Sequence, residues 1–200
     1  MTFKSYRRSR WIGVVLATVL TVIGAWATPA HAENAIMIKP LFDGTGGIFT
    51  DGMCLGIYGP DGFDNPGTRL TQWECKQNPD HFWFIFFVGT SPTGRKLYRI
   101  ENARTHMCMT IRGGSTANGT LAIQMPCRQT EDRWTAIHVG ANDANDTWAF
   151  QPWSALRFGL GKCLDVKAFE DDDGAIIQQW DCNGGANQIY YSPEHLGSHL

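Results

Sequence analysis

One motif occurs three times along this chain and limits its fold more than any other feature. Around Cys54 the sequence reads MCLGIYGPDGFDNPGTRLTQWEC, around Cys108 MCMTIRGGSTANGTLAIQMPC, and around Cys163 KCLDVKAFEDDDGAIIQQWDC. Each copy sets a cysteine, an apolar residue, a variable residue and then Ile or Val before a polar, turn-rich loop with glycine. An apolar stretch and a second cysteine follow. The first cysteines fall 54 and 55 residues apart, and within copies the separations are 21, 19 and 19. Such regularity marks an internal repeat, to be settled before any finer reading. Six cysteines allow fifteen pairings, and repetition favours one solution used three times: Cys54 with Cys75, Cys108 with Cys127, and Cys163 with Cys182. Each bond closes a loop of about 20 residues, worth roughly 3 kcal/mol in the chain-entropy account. Zinc is the competing use of cysteine, but no C-x-x-C or matched Cys/His spacing is present.

The compartment fits that pairing. Lys4, Arg7, Arg8 and Arg10 precede an apolar run from Trp11 to about Trp26, and Ala30-His31-Ala32 supplies a small-x-small cleavage pattern before Glu33. Residues 1–32 therefore read as a secretory signal. At about 16 residues the run is shorter than the ~20 a spanning helix needs, so no membrane span is expected after cleavage and the mature protein is expected outside the cell. The Arg7-Arg8 pair alone does not define an export route. Residues 33–200, 168 in number, suit one domain. The signal holds four of the 17 Lys and Arg and none of the 19 Asp and Glu, leaving 13 against 19, a balance of −6. An acidic chain without basic clusters is poorly made to grip phosphate backbones, so nucleic acid is excluded as a partner.

Local pattern points to β structure throughout. FWFIFFV, KLYRI, CMTI, WTAIHV and QIYY are short, aromatic or β-branched, and separated by Gly, Asn, Asp and Pro. No stretch after the signal holds helical periodicity beyond two turns. Three copies (about 36–88, 95–140 and 148–192), each too small to bury its own face, are expected to close one barrel. Trp83, Trp134 and Tyr190 lie seven or eight residues after the second cysteine of their copies and are expected in a shared core. The gaps Cys75–Cys108 and Cys127–Cys163, 33 and 36 residues, predict insertions or longer hairpins.

Together, CLDV, IQQWDCNGGANQ and their spacing resemble the ricin-type β-trefoil lectin domains, also called R-type or QxW domains, over nearly all of residues 36–192. The resemblance implies an all-β trefoil, a six-stranded barrel capped by three hairpins, with one shallow sugar pocket possible per copy. It implies neither cofactor nor metal. Family pockets use an Asp just after the first cysteine, an aromatic before the second and an Asn-Gln pair beyond it. The third copy matches throughout, with Asp165, Trp180, Asn187 and Gln188. The first copy has Gly56 at the Asp position and Asp80-His81 for the amide pair, keeping only Trp73. The second has Thr110, Met125 and Glu131-Asp132. One competent pocket is therefore expected.

The chemistry suits a sugar. An indole laid on the apolar face of a pyranose buries that face and leaves the rim hydroxyls free, the role expected of Trp180. A carboxylate accepts charge-assisted bonds from neighbouring hydroxyls, the role of Asp165. Asn187 can give and take, and Gln188 is expected to hold Asp165 in place. Gln178 reads as a structural bond to backbone. Glu170 to Asp173 lack the alternating spacing of a calcium loop and read as a solvated turn. His195 and His199 lie on a polar tail expected to be disordered. These features point to a secreted module binding a glycan or polysaccharide, of galactoside or xylan type. The alternatives are a protein-binding trefoil with vestigial sugar sites (a toxin-delivery subunit or an inhibitor) and a glycosidase. The last needs two carboxyl groups across a cleft, and no catalytic motif is present.

Overall fold

The computed structural model describes residues 35–42, 52–57, 63–128, 130–142, 145–192 and 196–200. All of them fall in one compact unit, His31–Leu200, and the expected signal over 1–32 lies outside the described residues. Among the described residues thirteen strands follow in order: β1 Ile36–Met37, β2 Lys39–Pro40, β3 Met53–Ile57, β4 Leu70–Glu74, β5 Phe82–Thr90, β6 Lys96–Asn102, β7 Met107–Ile111, β8 Thr120–Pro126, β9 Arg133–Asn142, β10 Asn145–Pro152, β11 Lys162–Val166, β12 Ile177–Asp181 and β13 Tyr190–Tyr191.

Antiparallel pairing carries the sheet around a ring. β1 pairs β5, β5 pairs β6, β6 pairs β9, β9 pairs β10, β10 pairs β13, and β13 returns to β2. Residues 36–40, split between β1 and β2, complete the barrel, which leaves its six walls without a free edge. Three hairpins, β3–β4, β7–β8 and β11–β12, form the cap. Each is stapled within its own copy, by Cys54–Cys75, Cys108–Cys127 and Cys163–Cys182. The long gaps between copies are the extended hairpins β5–β6 and β9–β10.

The core is built in threes. Leu55, Met109 and Leu164 follow the first cysteines, and Ile57, Ile111 and Val166 lie two residues further on. Leu70, Ala122 and Ile177 stand five before the second cysteines, and Trp83, Trp134 and Tyr190 seven or eight after them. Trp83 Nε1 donates to Leu55 O and Trp134 Nε1 to Met109 O, both at 2.9 Å. Tyr190 does not repeat that bond: its hydroxyl is buried and finds no partner among the described residues. Burial, with the Asp165 carboxylate nearby, pushes this phenol well above its usual range. Because an unpaired buried hydroxyl carries its whole desolvation penalty, Tyr190→Phe should raise stability by about 1 kcal/mol. A thermal melt shifted up by about 3 °C is the expected result, and a lowered midpoint would mean that the hydroxyl is bonded in solution.

A second threefold device locks the cap. Gly67, Gly119 and Gly174 each stand eight residues before the second cysteine of their copy, with φ of 88°, 78° and 87°. Each donates its N–H to the backbone carbonyl of a glutamine in another copy: Gly67 to Gln124, Gly119 to Gln179 and Gly174 to Gln72, at 2.8–2.9 Å. The glutamine side chains reach the same loops. Gln72 Nε2 donates to Glu170 O at 2.7 Å, Gln124 Nε2 to Asn65 O at 3.1 Å, and Gln179 Nε2 to Ser115 O and Ala117 O at 2.7 and 2.9 Å. Each copy thus binds the carbonyls of a neighbour's loop, and the three bonds run in a circle.

The tail departs from expectation. Leu196–His199 form a 3-10 turn, and Leu200 packs against the core. The Leu200 oxygen accepts from Lys96 Nζ at 2.8 Å and from the Tyr98 hydroxyl. These contacts hold a segment that composition alone would leave loose. His195 is outside the described residues. Among the described residues no helix is long and apolar enough to cross a membrane.

Candidate functional site

Asp165 lies on β11, opposite Gln178 of β12, and only 3% of it is exposed. Its Oδ1 accepts from Gln178 Nε2 at 2.9 Å, and its Oδ2 accepts from Asn187 Nδ2 at 2.8 Å and Gln188 Nε2 at 2.9 Å. Burial raises its pKa above the usual carboxylate value, and the three amide bonds pull only partway back. Asn187 and Gln188 are delivered by a 3-10 turn, Ala186–Gln188. Gln188 does more than hold Asp165: its Oε1 accepts the Asn183 N–H at 2.9 Å and its Nε2 also donates to Asp181 O at 3.0 Å. The four residues singled out in the third copy therefore come together, although two roles change. Gln178 braces the Asp165 carboxylate, while the backbone-bonding glutamine is its neighbour Gln179. Asn187 has spent its amide hydrogens on Asp165 and on Val166 O at 3.0 Å, so it keeps only Oδ1, a buried acceptor without a partner among the described residues.

Counting lone pairs shows what the site can accept. Oδ2 of Asp165 takes two bonds and is full, whereas Oδ1 takes one and has one place left. Asp165 lines a cavity of about 350 Å3 and is the one carboxylate among its described lining residues. Trp180 lines the same cavity and is 41% exposed. Its six-membered ring rests against the backbone at Gly119, where a Cβ would lie 3.8 Å away. The next residue fixes this edge: Asp181 accepts from Lys162 Nζ, and its Oδ2 accepts from Asn118 Nδ2 at 2.7 Å. Lys162 and Asn118 hold the Asp181 carboxyl below its usual range.

Lys167, Ala168 and Phe169, from the loop 167–173 to which the sequence reading assigns sugar selectivity, also line the cavity, as does Asn183, which the sequence did not single out. KAFEDDDG looks like a solvated turn, and most of it is one. Glu170 to Asp173 are exposed, yet Asp173 Oδ1 accepts the Glu74 N–H at 2.7 Å and so fastens this loop to the first copy.

The matching positions of the other two copies are filled differently. In the first, the His81 ring covers Gly56, where a Cβ would come within 3.0 Å of the imidazole. His81 is buried 3.6 Å from the Asp80 carboxylate, and burial lowers its pKa against the pull of that neighbour. In the second, Thr110 Oγ1 donates to Glu131 O at 3.0 Å. What these copies retain is a loop cap: the N–H after the second cysteine is accepted by His81 Nδ1 (from Lys76, 3.2 Å), by Asp132 (from Arg128) and by Gln188. Glu101, Cys108 and Cys127 approach one another as metal ligands would, but the two sulfurs are bonded to each other.

A family model described as the ricin-type β-trefoil lectin domain matches residues 96–198, and one described as ricin-type β-trefoil lectin domain-like matches residues 49–125. The chain belongs to the ricin-type β-trefoil lectin family. Among solved structures it is similar to ThreeFoil, a designed 3-fold symmetric protein, with TM-score 0.64 and 17% identity over 79% of this chain and 96% of that one. It is similar too to 1,3Gal43A, an exo-β-1,3-galactanase from Clostridium thermocellum, with TM-score 0.64 and 20% identity over 80% of this chain but 30% of the enzyme. The Macrolepiota procera ricin B-like lectin in complex with lactose gives TM-score 0.58 and 14% identity over 80% and 94%. At these identities the likeness is one of fold. No curated protein matches the chain.

Proposed function

We propose that this chain is a secreted carbohydrate-binding module: a signal over residues 1–32, then one trefoil domain over 33–200 with a single working sugar pocket in its third copy. One observation carries the reading. A braced carboxylate with one open acceptor position and an exposed indole line the same cavity. Trp180 supplies the apolar platform, Asp165 accepts a ring hydroxyl, and Asn187 lines the same cavity. Gln178 and Gln188 position the carboxylate. Three intact disulfides suit an oxidising compartment. Galactosides and xylan-type polysaccharides are the proposed ligands.

A single shallow pocket of this kind should bind at the millimolar level, about −4 kcal/mol, so that useful avidity comes from a polymeric target. Calorimetric titration of the mature chain with galactosides and xylo-oligosaccharides should give a one-site isotherm. A folded protein that binds neither at high millimolar concentration would defeat the reading. The departures of copies one and two from the pocket pattern, at Gly56, His81, Thr110 and Met125, favour a second reading, in which those faces serve a protein partner. A variant of the third pocket that loses sugar but keeps such a partner would separate the two. Retaining or inverting glycoside hydrolysis needs a second carboxyl group across the cleft, and none of the described lining residues other than Asp165 supplies one.

A further inference from the structure

Ala168 and Phe169 both occupy the left-handed region, with φ of 53° and 57°. A Cβ makes this conformation unfavourable, and for a bulky side chain it is an outlier. The second copy takes the same backbone path two and three residues after Ile111, but there the residues are Gly113 and Gly114, with φ of 63° and 60°. The fold itself is thus served by glycine, and the third copy carries strain in order to hold an aromatic ring. Strain kept at a ligand site points to a use for the side chain that bears it.

That ring lies where a second platform would. Phe169 is 44% exposed and lines the cavity with Trp180 and Asp165. It is backed by Gly185, where a Cβ would sit 3.2 Å from Phe169 Cζ, and by Phe42, whose ring meets it edge-on at 5.2 Å. Trp180 is backed by the loop of the second copy at Gly119. The two aromatics are thus backed by different loops, and Asp165 lines the same cavity with them. At about 350 Å3 the cavity falls in the range that takes drug-sized ligands, larger than a single sugar ring. We infer that Phe169 is a specificity residue that forms a second subsite. Trp180 and Asp165 hold one pyranose, and Phe169 lies on the apolar face of the next, so the ligand class is a β-linked oligosaccharide. This inference rests on the carbohydrate reading above.

Phe169→Gly tests it, with Ala168→Gly as a control that relieves strain and keeps the ring. Calorimetry with galactose against lactose, and with xylose against xylotriose, supplies the readout, together with thermal unfolding. In the native protein one of the oligosaccharides should bind about tenfold more tightly than its monosaccharide, the increment expected of one aromatic contact. Phe169→Gly should erase that gap by weakening the oligosaccharide about tenfold while the monosaccharide stays within about twofold, and its melting temperature should not fall. Ala168→Gly should bind as the native chain does. Unchanged oligosaccharide affinity in Phe169→Gly would overturn the inference. So would an equal loss for both ligands, or a fall in melting temperature showing that the ring serves its packing on Phe42. Native protein that binds all four sugars with no gap would sink the second subsite and leave the pocket standing. Native protein that binds none would remove the carbohydrate reading itself.

Discussion

Asp165→Ala should lose glycan binding and also lower stability by about 3–5 kcal/mol, because three buried amide donors are left without an acceptor at about 1–3 kcal/mol each, less the relief of a buried charge. In a domain of this size that loss corresponds to a melting temperature lower by about 10 °C. Binding lost in alanine would therefore not by itself reveal a sugar contact. Asp165→Asn separates the effects. Its remaining oxygen can serve Asn187 and Gln188, and its amide can face Gln178 once that side chain turns its own oxygen inward. The fold should hold within about 1 kcal/mol while the cavity receives a donor in place of an acceptor. Loss of binding in a normally melting Asp165→Asn protein is the expected outcome, and retained binding would remove the carboxylate from the mechanism. Titration gives a parallel test. The raised pKa of Asp165 means that ionising it weakens the folded state at pH above that pKa, and the penalty is relieved as pH falls through it. Binding runs the other way, since a proton on Oδ1 takes the lone pair a sugar hydroxyl needs. Affinity should therefore fall in acid at a pH above the ordinary carboxylate range, while this group's contribution to stability improves.

Trp180→Ala should weaken glycan binding by tenfold or more, the loss of one stacked aromatic face and its buried area. Its effect on stability should be small, within about 1 kcal/mol, because 41% of the side chain already meets solvent and Asp181 holds the strand end without it. Trp180→Phe should recover part of the affinity. Calorimetry and melting curves measured side by side would show whether binding and stability divide as expected. Full affinity in the alanine variant would exclude the platform, and a large drop in melting temperature would place the indole among the packing residues.

The threefold plan was legible because it is written in cysteine spacing and in core positions counted from it. The third pocket was legible because Asp165, Trp180, Asn187 and Gln188 keep a fixed relation to the same cysteines. What escaped depends on contacts between copies or on backbone conformation. A glycine eight residues before the second cysteine and a glutamine three before it stand in every copy, in plain view. Their meaning needs the neighbour's loop, which no local pattern supplies. Phe169 hid in a polar turn, since nothing in KAFEDDDG announces a left-handed phenylalanine. The residues at Gly56 and His81 marked a departure from the pocket pattern, but not that the imidazole lies over Gly56. The tail went astray for the opposite reason: HLGSH is polar, and its anchorage depends on Lys96 and Tyr98, about a hundred residues upstream.

The circle of glutamines also governs when the protein can finish folding. The link from Gln72 to Glu170 spans 98 residues, so the first hairpin stays uncapped until nearly all the domain has been synthesised. Contacts of such long range carry a large loop-closure entropy and form late. The circle therefore closes only once the third copy is present, and the joining of the three hairpins is the last thing the chain can complete.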